Sequence, residues 1–112
     1  MIRVGNIKAG DVGEYCGRAG RGRGGSPLAN PFPLHDEQDR DAVCDRYQVW
    51  FDEQLRLRNP KVLHELDRLE KLARQGDITL TCWCNSDLQP RRCHCDKIKS
   101  ELERRLTLPL TR

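Results

Sequence analysis

Apolar residues recur along this chain with two different periods, and the period indicates which segments form strands and which form helices. Two short runs near the start, 2–7 and 14–16, are rich in β-forming residues and predict strands, with a turn at Gly10 and Asp11 between them. A later run, 77–84, alternates Ile, Leu and Cys with Thr and Trp and predicts a third strand. The pattern therefore predicts a small sheet.

Three longer segments place apolar residues at spacings of three and four, which predicts amphipathic helices. They cover about 39–57, 60–74 and 94–106. Pro60 suits the first turn of the second helix, and Gly76 ends that helix. Because strands flank two helices and a third helix follows the last strand, we predict an α/β fold: a small Rossmann-like domain with a few-stranded sheet and about three helices.

The order of these elements assigns residues 1–112 to a single α/β domain, with a Gly/Arg-rich loop at 17–34 and a short C-terminal tail at 107–112. A loop this long inside a small domain is typically functional or disordered. In open α/β sheets, ligands bind beyond the carboxyl ends of the strands. We therefore expect a site formed by this loop and by the residues that follow the third strand, from Cys84 onward.

The composition is that of a small protein with one modest core. The chain has 112 residues and a mass of 13.0 kDa, and only 5% of the residues are aromatic, so Leu, Val and Ile must fill most of the core. No apolar run approaches the roughly 20 residues of a membrane span, and no signal-peptide core follows Met1. We predict a cytoplasmic protein without a membrane partner.

The net charge of +3 is too small to predict nucleic-acid binding by itself. Positive charge gathers in 1–34 and 78–112, however, whereas 36–77 is net negative. If the fold brings the two ends together, the site they share suits an anionic ligand. Loop glycines allow the backbone to approach such a ligand, and Arg18 could hold a phosphate with two hydrogen bonds. The alternative is an exposed linker whose charges are solvated.

Four of the six cysteines and one of the three histidines crowd into the segment 82–95. Without a secretion signal, thiols are expected to stay reduced, so metal binding or catalysis is a better use of this crowding than disulfide formation. The outlying Cys16 and Cys44 carry no spacing signal. Cys44 falls on the apolar side of the first helix and is expected to be a small buried hydrophobe. Trp83 is expected to pack under a helix.

A zinc site could use Cys82, Cys84 and Cys93, with His94 or Cys95 as the fourth ligand. Cysteines two apart on a strand share a face, so the first two could reach one ion. Structural zinc sites usually leave two to four residues between paired cysteines, however, and both Cys-x-Cys pairs in this chain miss that spacing. Zinc is therefore the alternative and not the favoured interpretation. A further alternative is that these cysteines are simply core residues.

A different use of the cluster is chemistry at the start of the last helix. Cys93 begins this helix after two arginines, and both a helix N-terminus and nearby cations favour the thiolate. His94 could carry a proton, and Asp96 could orient it, although a carboxylate in a first helical turn is also an ordinary stabiliser of the helix dipole. The catalytic candidates are therefore Cys93, His94 and Asp96.

Three stretches together resemble a small bacterial and bacteriophage family known as domain of unknown function 4326. They are Tyr15-Cys16-Gly17-Arg18, then Ser26-Pro27-Leu28-Ala29-Asn30-Pro31-Phe32, and last Cys82-Trp83-Cys84 with Pro90 and Cys93-His94-Cys95-Asp96. The family has glycine at the positions of Ala29 and Cys95, so the resemblance implies that Cys95 is dispensable. It also implies a Rossmann-like fold, an association with nucleotide or nucleic-acid metabolism, and hydrogen-bonding roles for Ser26 and Asn30.

The leading hypothesis is that the protein binds a phosphate-bearing ligand, either a nucleotide or a nucleic-acid-derived one. If the protein is an enzyme, the expected activity is that of a hydrolase or a transferase. The ligand-binding candidates are Arg18, Ser26, Asn30 and Cys84. The alternative is a zinc-stabilised interaction module, such as a phage protein that acts on a host partner in the host cytoplasm. Its metal ligands would be Cys82, Cys84, Cys93 and His94.

Overall fold

The computed structural model describes residues 1–20, 22–83 and 92–108. Within these residues, three strands and three α-helices form the framework. In chain order they are β1 (Ile2–Asn6), β2 (Glu14–Tyr15), α1 (Arg40–Arg56), α2 (Pro60–Gln75), β3 (Ile78–Cys82) and α3 (His94–Thr107). Short 3-10 turns follow β1 at Ile7–Ala9 and precede α1 at Glu37–Asp39.

The three strands form one parallel sheet in which β3 lies between β1 and β2. The register pairs Asn6 with Cys82 on one side and Tyr15 with Thr81 on the other. The amide of Cys16 extends the second pairing by donating to the Thr81 carbonyl at 2.8 Å. Because all three strands run in the same direction, their carboxyl ends lie at one edge of the sheet.

The helices supply the core that covers one face of this sheet. Alternate sheet residues, among them Ile2, Leu80 and Cys82, join the buried apolar cluster. Helix α3 packs on β1 and β3, and the three helices contact one another. The cluster is mostly aliphatic, and its buried aromatic residues are Tyr47 and Phe51 of α1. The first turn of α3 is thereby held against the end of β3.

The link between β1 and β2 passes close to β3. A Cβ built on Gly13 would lie 2.2 Å from the Thr79 carbonyl oxygen, so this position has no room for a side chain. Earlier in the link, a carboxylate oxygen of Asp11 accepts a 2.7 Å hydrogen bond from the Asn6 amide. These contacts hold the link against the sheet and fix where β2 begins.

A network of arginine and carboxylate side chains joins α2 to α3 beside the core. Arg105 is only 8% exposed, and its guanidinium contacts three carboxylates. Its Nε donates to Glu101 at 3.0 Å, and its Nη1 donates to Asp67 at 2.9 Å and to Glu70 at 3.3 Å. Arg74 donates in turn to Glu70 and to the Arg105 carbonyl. The network fixes how α3 lies along α2.

The predicted α/β fold is confirmed, and each predicted strand and helix is present with ends that differ by at most two residues. Strand β3 ends at Cys82, and the remainder of its predicted span beyond Trp83 lies outside the described residues. In the part of the chain that the structure describes, no helix is long and apolar enough to cross a bilayer. The Rossmann-like label, the single-domain assignment and the cytoplasmic location stay predictions.

Candidate functional site

A cleft of about 670 Å³ opens at the carboxyl edge of the sheet. The segment after β2, the start of α1 and the start of α3 line it. Four of its lining residues are sequence-predicted candidates, namely Arg18, Asn30, Cys93 and His94. The loop and the Cys-His segment, which are more than fifty positions apart in the chain, therefore meet at the edge where parallel sheets bind ligands.

The Tyr-Cys-Gly-Arg motif forms the tight turn that places Arg18. The Tyr15 hydroxyl donates to the Arg18 carbonyl at 2.6 Å, so its ring folds back over Gly17. A Cβ on Gly17 would lie 2.5 Å from this hydroxyl oxygen, which explains why the motif has glycine there. Arg23 lies over the Tyr15 ring and also over the Trp83 ring, with its Cζ atom 5.4 and 5.9 Å from the two ring centroids.

The Ser-Pro-Leu-Ala-Asn-Pro-Phe motif shapes the loop through its own hydrogen bonds. The Ser26 hydroxyl accepts from the Leu28 amide at 3.0 Å, and the Asn30 side-chain oxygen accepts from the Phe32 amide at 2.9 Å. Leu28 is fully buried, and its carbonyl accepts a 2.7 Å hydrogen bond from the Tyr47 hydroxyl. Ser26 therefore folds the loop and does not line the cleft, whereas Asn30 does line it.

The segment that leads into α3 is tied to α1 by two arginines. Arg40, which is 8% exposed, donates to the Arg92 carbonyl at 2.9 Å and pairs with Glu37. Arg92 reaches back to Asp45 at 2.7 Å and to Asp41 at 3.3 Å. These bonds bring the residue before Cys93 to the N-terminus of α1, which closes one side of the cleft.

Cys93 caps α3 in a two-way arrangement with Asp96. The Cys93 sulfur accepts from the backbone of the first turn, and the Asp96 carboxylate accepts from the Cys93 amide at 3.0 Å. This is the capping-box geometry, in which both partners satisfy otherwise free N–H groups. The structure therefore places Asp96 as the helix-start carboxylate.

Four ligand-type side chains converge where β3 ends and α3 begins: Cys82, Cys93, His94 and Cys95. Their ligand atoms all lie within 4.8 Å of one another, and all four residues are buried. The Cys82 and Cys93 sulfurs are 3.1 Å apart, and the Cys93 sulfur is 3.8 Å from His94 Nδ1. The Cys95 sulfur is 3.9 Å from His94 Nε2. Such a group could hold a transition-metal ion.

Sulfur and backbone groups also set the ionisation of this cluster. Burial lowers the pKa of His94, but the hydrogen bond to Cys93, the thiolate charges of Cys93 and Cys82 and the Cys16 carbonyl together raise that pKa to about 9. The pKa of the Cys95 thiol is raised well above its ordinary value by hydrogen bonds with Cys16, Cys82 and Cys93 and by burial. In a metal-free cluster, His94 is therefore cationic at neutral pH and Cys95 is a neutral thiol.

The structure also places residues to which the sequence assigned no part in the site. Cys16, which had no spacing signal, is buried beside Cys95, and its carbonyl oxygen lies 2.7 Å from His94 Nε2. Arg40 and Trp83 line the cleft, and Cys44 is buried as predicted. Nothing in the sequence indicated that the start of α1 lines the cleft, because this position depends on the contact of Arg40 with the distant Arg92 carbonyl. The ligand candidate Cys84 lies outside the described residues.

Together these features define a class of protein: a small α/β protein with a parallel sheet, a cleft at its carboxyl edge and a Cys/His cluster in the wall of that cleft. The chain belongs to the family described as domain of unknown function (DUF4326), which matches residues 3–104. The predicted family resemblance is therefore confirmed. No curated protein and no solved structure matches the chain.

Proposed function

We propose that the cleft at the carboxyl edge binds a phosphate-bearing ligand of the nucleotide class. The observation that carries this proposal is the meeting of the Arg18 turn and the Cys93-His94 segment in one cleft at that edge. Ligand binding at this edge is the general behaviour of open parallel sheets. The cleft volume, about 670 Å³, also falls in the range of small-molecule sites.

The charges in the cleft favour an anion on one side. Arg18 is exposed at the rim, and within the described residues no carboxylate is shown in an ion pair with it. The His94 imidazolium of the metal-free cluster lies beside the thiolates that stabilise it, so it adds little net positive charge to the cleft. Arg40 is less available because it pairs with Glu37 and the Arg92 carbonyl. Arg18 is therefore the group we assign to the phosphate.

Other lining groups suit the rest of a nucleotide. Tyr15 and Trp83 place aromatic rings in the cleft, and a base could stack on them by displacing the Arg23 guanidinium that lies over both rings. Asp36 also lines the cleft, where a carboxylate could accept hydrogen bonds from ribose hydroxyls or a base amino group. Asn30 contributes polar side-chain surface, and the Ser26 hydroxyl supports the loop that carries it. These groups support a nucleotide over inorganic phosphate alone.

An enzymatic version, hydrolysis or group transfer at the bound ligand, gives Cys93 the role of nucleophile and His94 the role of proton carrier. Both line the cleft, and their Sγ and Nδ1 atoms are 3.8 Å apart. This version requires a Cys93 thiolate that no metal ion occupies, and it stays a prediction. The sequence-derived alternative of an interaction module with a host partner also stays a prediction.

Calorimetric titration of the purified chain tests the binding proposal. The probes are inorganic phosphate, pyrophosphate and the common nucleoside 5′-monophosphates and 5′-triphosphates. We expect a nucleotide to bind, and we expect Arg18→Ala to weaken it about tenfold or more because a charge-assisted hydrogen bond contributes about 1.5–3 kcal/mol. Arg46→Ala is the matched control, since Arg46 is an exposed arginine of α1 that does not line the cleft. Equal affinities in the two variants, or no binding of any probe to the wild type, would overturn the proposal.

A further inference from the structure

Three consecutive residues at the start of α3 point into the protein interior. Cys93, His94 and Cys95 are 3%, 3% and 0% exposed. On a regular amphipathic helix, neighbouring residues are about 100° apart, so three in a row are not normally all buried. They are buried here because Cys93 is in an extended cap conformation and the first turn of α3 is directed at the end of β3. Cys82 of β3 meets them there.

The spacing of these groups is close to that of a tetrahedral metal site. Zinc–sulfur bonds of about 2.3 Å place the sulfurs of a tetrahedral site about 3.8 Å apart. The Cys93 sulfur and His94 Nδ1 are separated by 3.8 Å, while the Cys82 and Cys93 sulfurs are separated by 3.1 Å. The ligand atoms of all four residues lie within 4.8 Å of one another, so small side-chain shifts would bring them into a tetrahedral arrangement.

A backbone carbonyl already orients the histidine as a metal site requires. His94 Nε2 lies 2.7 Å from the Cys16 carbonyl oxygen, so Nε2 carries a proton and donates it to that oxygen. Nδ1 then faces the Cys93 sulfur and is available as a ligand in the neutral ring. Metal-binding histidines characteristically donate their second N–H to a carbonyl or carboxylate in this way. Tyr47 packs edge-on against the ring and limits its rotation.

We propose that the sulfurs of Cys82, Cys93 and Cys95 and Nδ1 of His94 bind one zinc-class ion that joins the end of β3 to the start of α3. Thiolate and imidazole ligands select zinc or a similarly soft ion over magnesium or calcium. The buried position suits a structural site, in which protein ligands fill all four positions. The positive end of the α3 dipole also stabilises the thiolates.

This ligand set differs from the alternative zinc set that the sequence suggested. The sequence-derived set contained Cys84, and the family resemblance implied that Cys95 is dispensable. Among the described residues, Cys95 is the third sulfur that converges with Cys82 and Cys93. The two sets make opposite predictions for serine variants at positions 84 and 95, so they can be separated directly.

The first measurement is on the unmodified chain, purified without an affinity tag or chelator and in the presence of a phosphine reductant. Elemental analysis should find one zinc per chain, and X-ray absorption should find three sulfurs at about 2.3 Å and one nitrogen at about 2.0 Å. If the chain is metal-free, it is reconstituted with Zn²⁺ and with Co²⁺ as a spectroscopic probe. Failure to bind either ion, or a site with fewer than three sulfurs, would overturn the proposal.

The second measurement compares three serine variants for Co²⁺ binding. Cys95→Ser should lose the thiolate-to-cobalt absorption of one sulfur and bind at least tenfold more weakly. Cys84→Ser and the control Cys44→Ser, a buried cysteine of α1 outside the cluster, should bind like the wild type. Loss of binding in Cys84→Ser with retention in Cys95→Ser would refute the assigned ligand set.

A variant-free measurement covers the case in which Cys95→Ser fails to fold. Alkylation with and without a chelator, followed by mass spectrometry, identifies the cysteines that the metal protects. Cys82, Cys93 and Cys95 should become labelled only after chelation, and Cys84 labelling should not depend on it. Chelator-dependent labelling of Cys84 instead of Cys95 would count against the proposal. Nucleotide binding is scored separately through Arg18, so either proposal can fail without the other.

Discussion

Replacing Arg105 by methionine tests whether the charged network between α2 and α3 holds α3 in place. The substitution keeps much of the apolar stem of the side chain and removes the guanidinium. Arg105 is 8% exposed, and so are Glu70 and Glu101, two of its three carboxylate partners. The variant therefore leaves buried carboxylates with fewer partners.

The contacts that remain set the expected magnitude. Removing one member of a buried ion pair costs about 3–5 kcal/mol when its partner is left uncompensated. Here Glu70 keeps its 3.0 Å contact with Arg74, and Glu101 keeps its 2.8 Å contact with Arg104. We therefore expect Arg105→Met to lower the free energy of unfolding by about 2–3 kcal/mol, somewhat less than the full penalty.

Arg104→Met is the matched control for this substitution. Arg104 is the neighbouring arginine on α3 and also pairs with Glu101, but its side chain is 58% exposed. Exposed pairs contribute about 0.2–1 kcal/mol, so we expect the control to cost about 0.5 kcal/mol. The comparison holds the substitution, the helix and one carboxylate partner constant, and it varies mainly burial.

Urea unfolding monitored by circular dichroism measures both free energies. The midpoint should fall clearly for Arg105→Met and hardly at all for Arg104→Met, with the urea dependence of the free energy unchanged. Equal costs for the two variants would show that burial of the network does not determine its contribution. A cost below about 1 kcal/mol for Arg105→Met would refute the reasoning from uncompensated buried charge.

Two further predictions concern pH and the turn that carries the phosphate candidate. Burial raises the pKa of Glu101, but hydrogen bonds with its two arginine partners outweigh burial and lower it. Ionised Glu101 therefore stabilises the folded state above the unfolded carboxyl pKa, about 4.3, and this stabilisation is lost as the pH falls through the pKa of the folded state. Urea unfolding from pH 7 to pH 3 should show a smaller loss of unfolding free energy in Glu101→Gln than in the wild type. Gly17→Ala should break the hydrogen bond from Tyr15 to the Arg18 carbonyl and weaken nucleotide binding several-fold at unchanged helix content, and wild-type affinity in this variant would show that the turn does not position the arginine.

The α/β class and its helices and strands were predictable because local patterns determine them. The spacing of apolar residues over about 39–57 predicted an amphipathic helix, and Val43, Tyr47 and Phe51 form its buried face in α1. The Asn59-Pro60 pair marked the start of α2, where the Asn59 side chain accepts from the Lys61 amide at 3.1 Å. Such signals lie within a few residues of the feature they specify, so one sequence is enough to interpret them.

The candidate site was only partly predictable because its geometry depends on contacts between distant segments. The sequence identified Cys93 and His94, and it singled out the loop around Arg18. It did not indicate that the Cys16 carbonyl would approach the imidazole at 2.7 Å, since the two residues are 78 positions apart. Cys95 was assigned a dispensable role from the resemblance, whereas the structure places its sulfur in the cluster. Strand pairing and helix direction bring these groups together, and spacing along the chain does not encode either one.

The two proposals share Cys93 and His94, and this sharing links them thermodynamically. In the metal-free cluster, His94 is cationic at neutral pH because the neighbouring thiolates of Cys93 and Cys82 stabilise its charge. A divalent ion bound by three thiolates and a neutral imidazole carries a net charge of −1, so metal binding removes the imidazolium and leaves a negative cluster in the cleft wall. Phosphate binding would then rest mainly on Arg18, and the metal and the phosphate would weaken each other's binding by the same factor. The metal-bound state would also occupy the Cys93 sulfur, which would exclude the nucleophilic role of this thiol. A chain that binds both ligands tightly at once would therefore need a further positive group in the cleft. Arg40 could supply that charge only by releasing Glu37, because it is only 8% exposed and paired with that carboxylate.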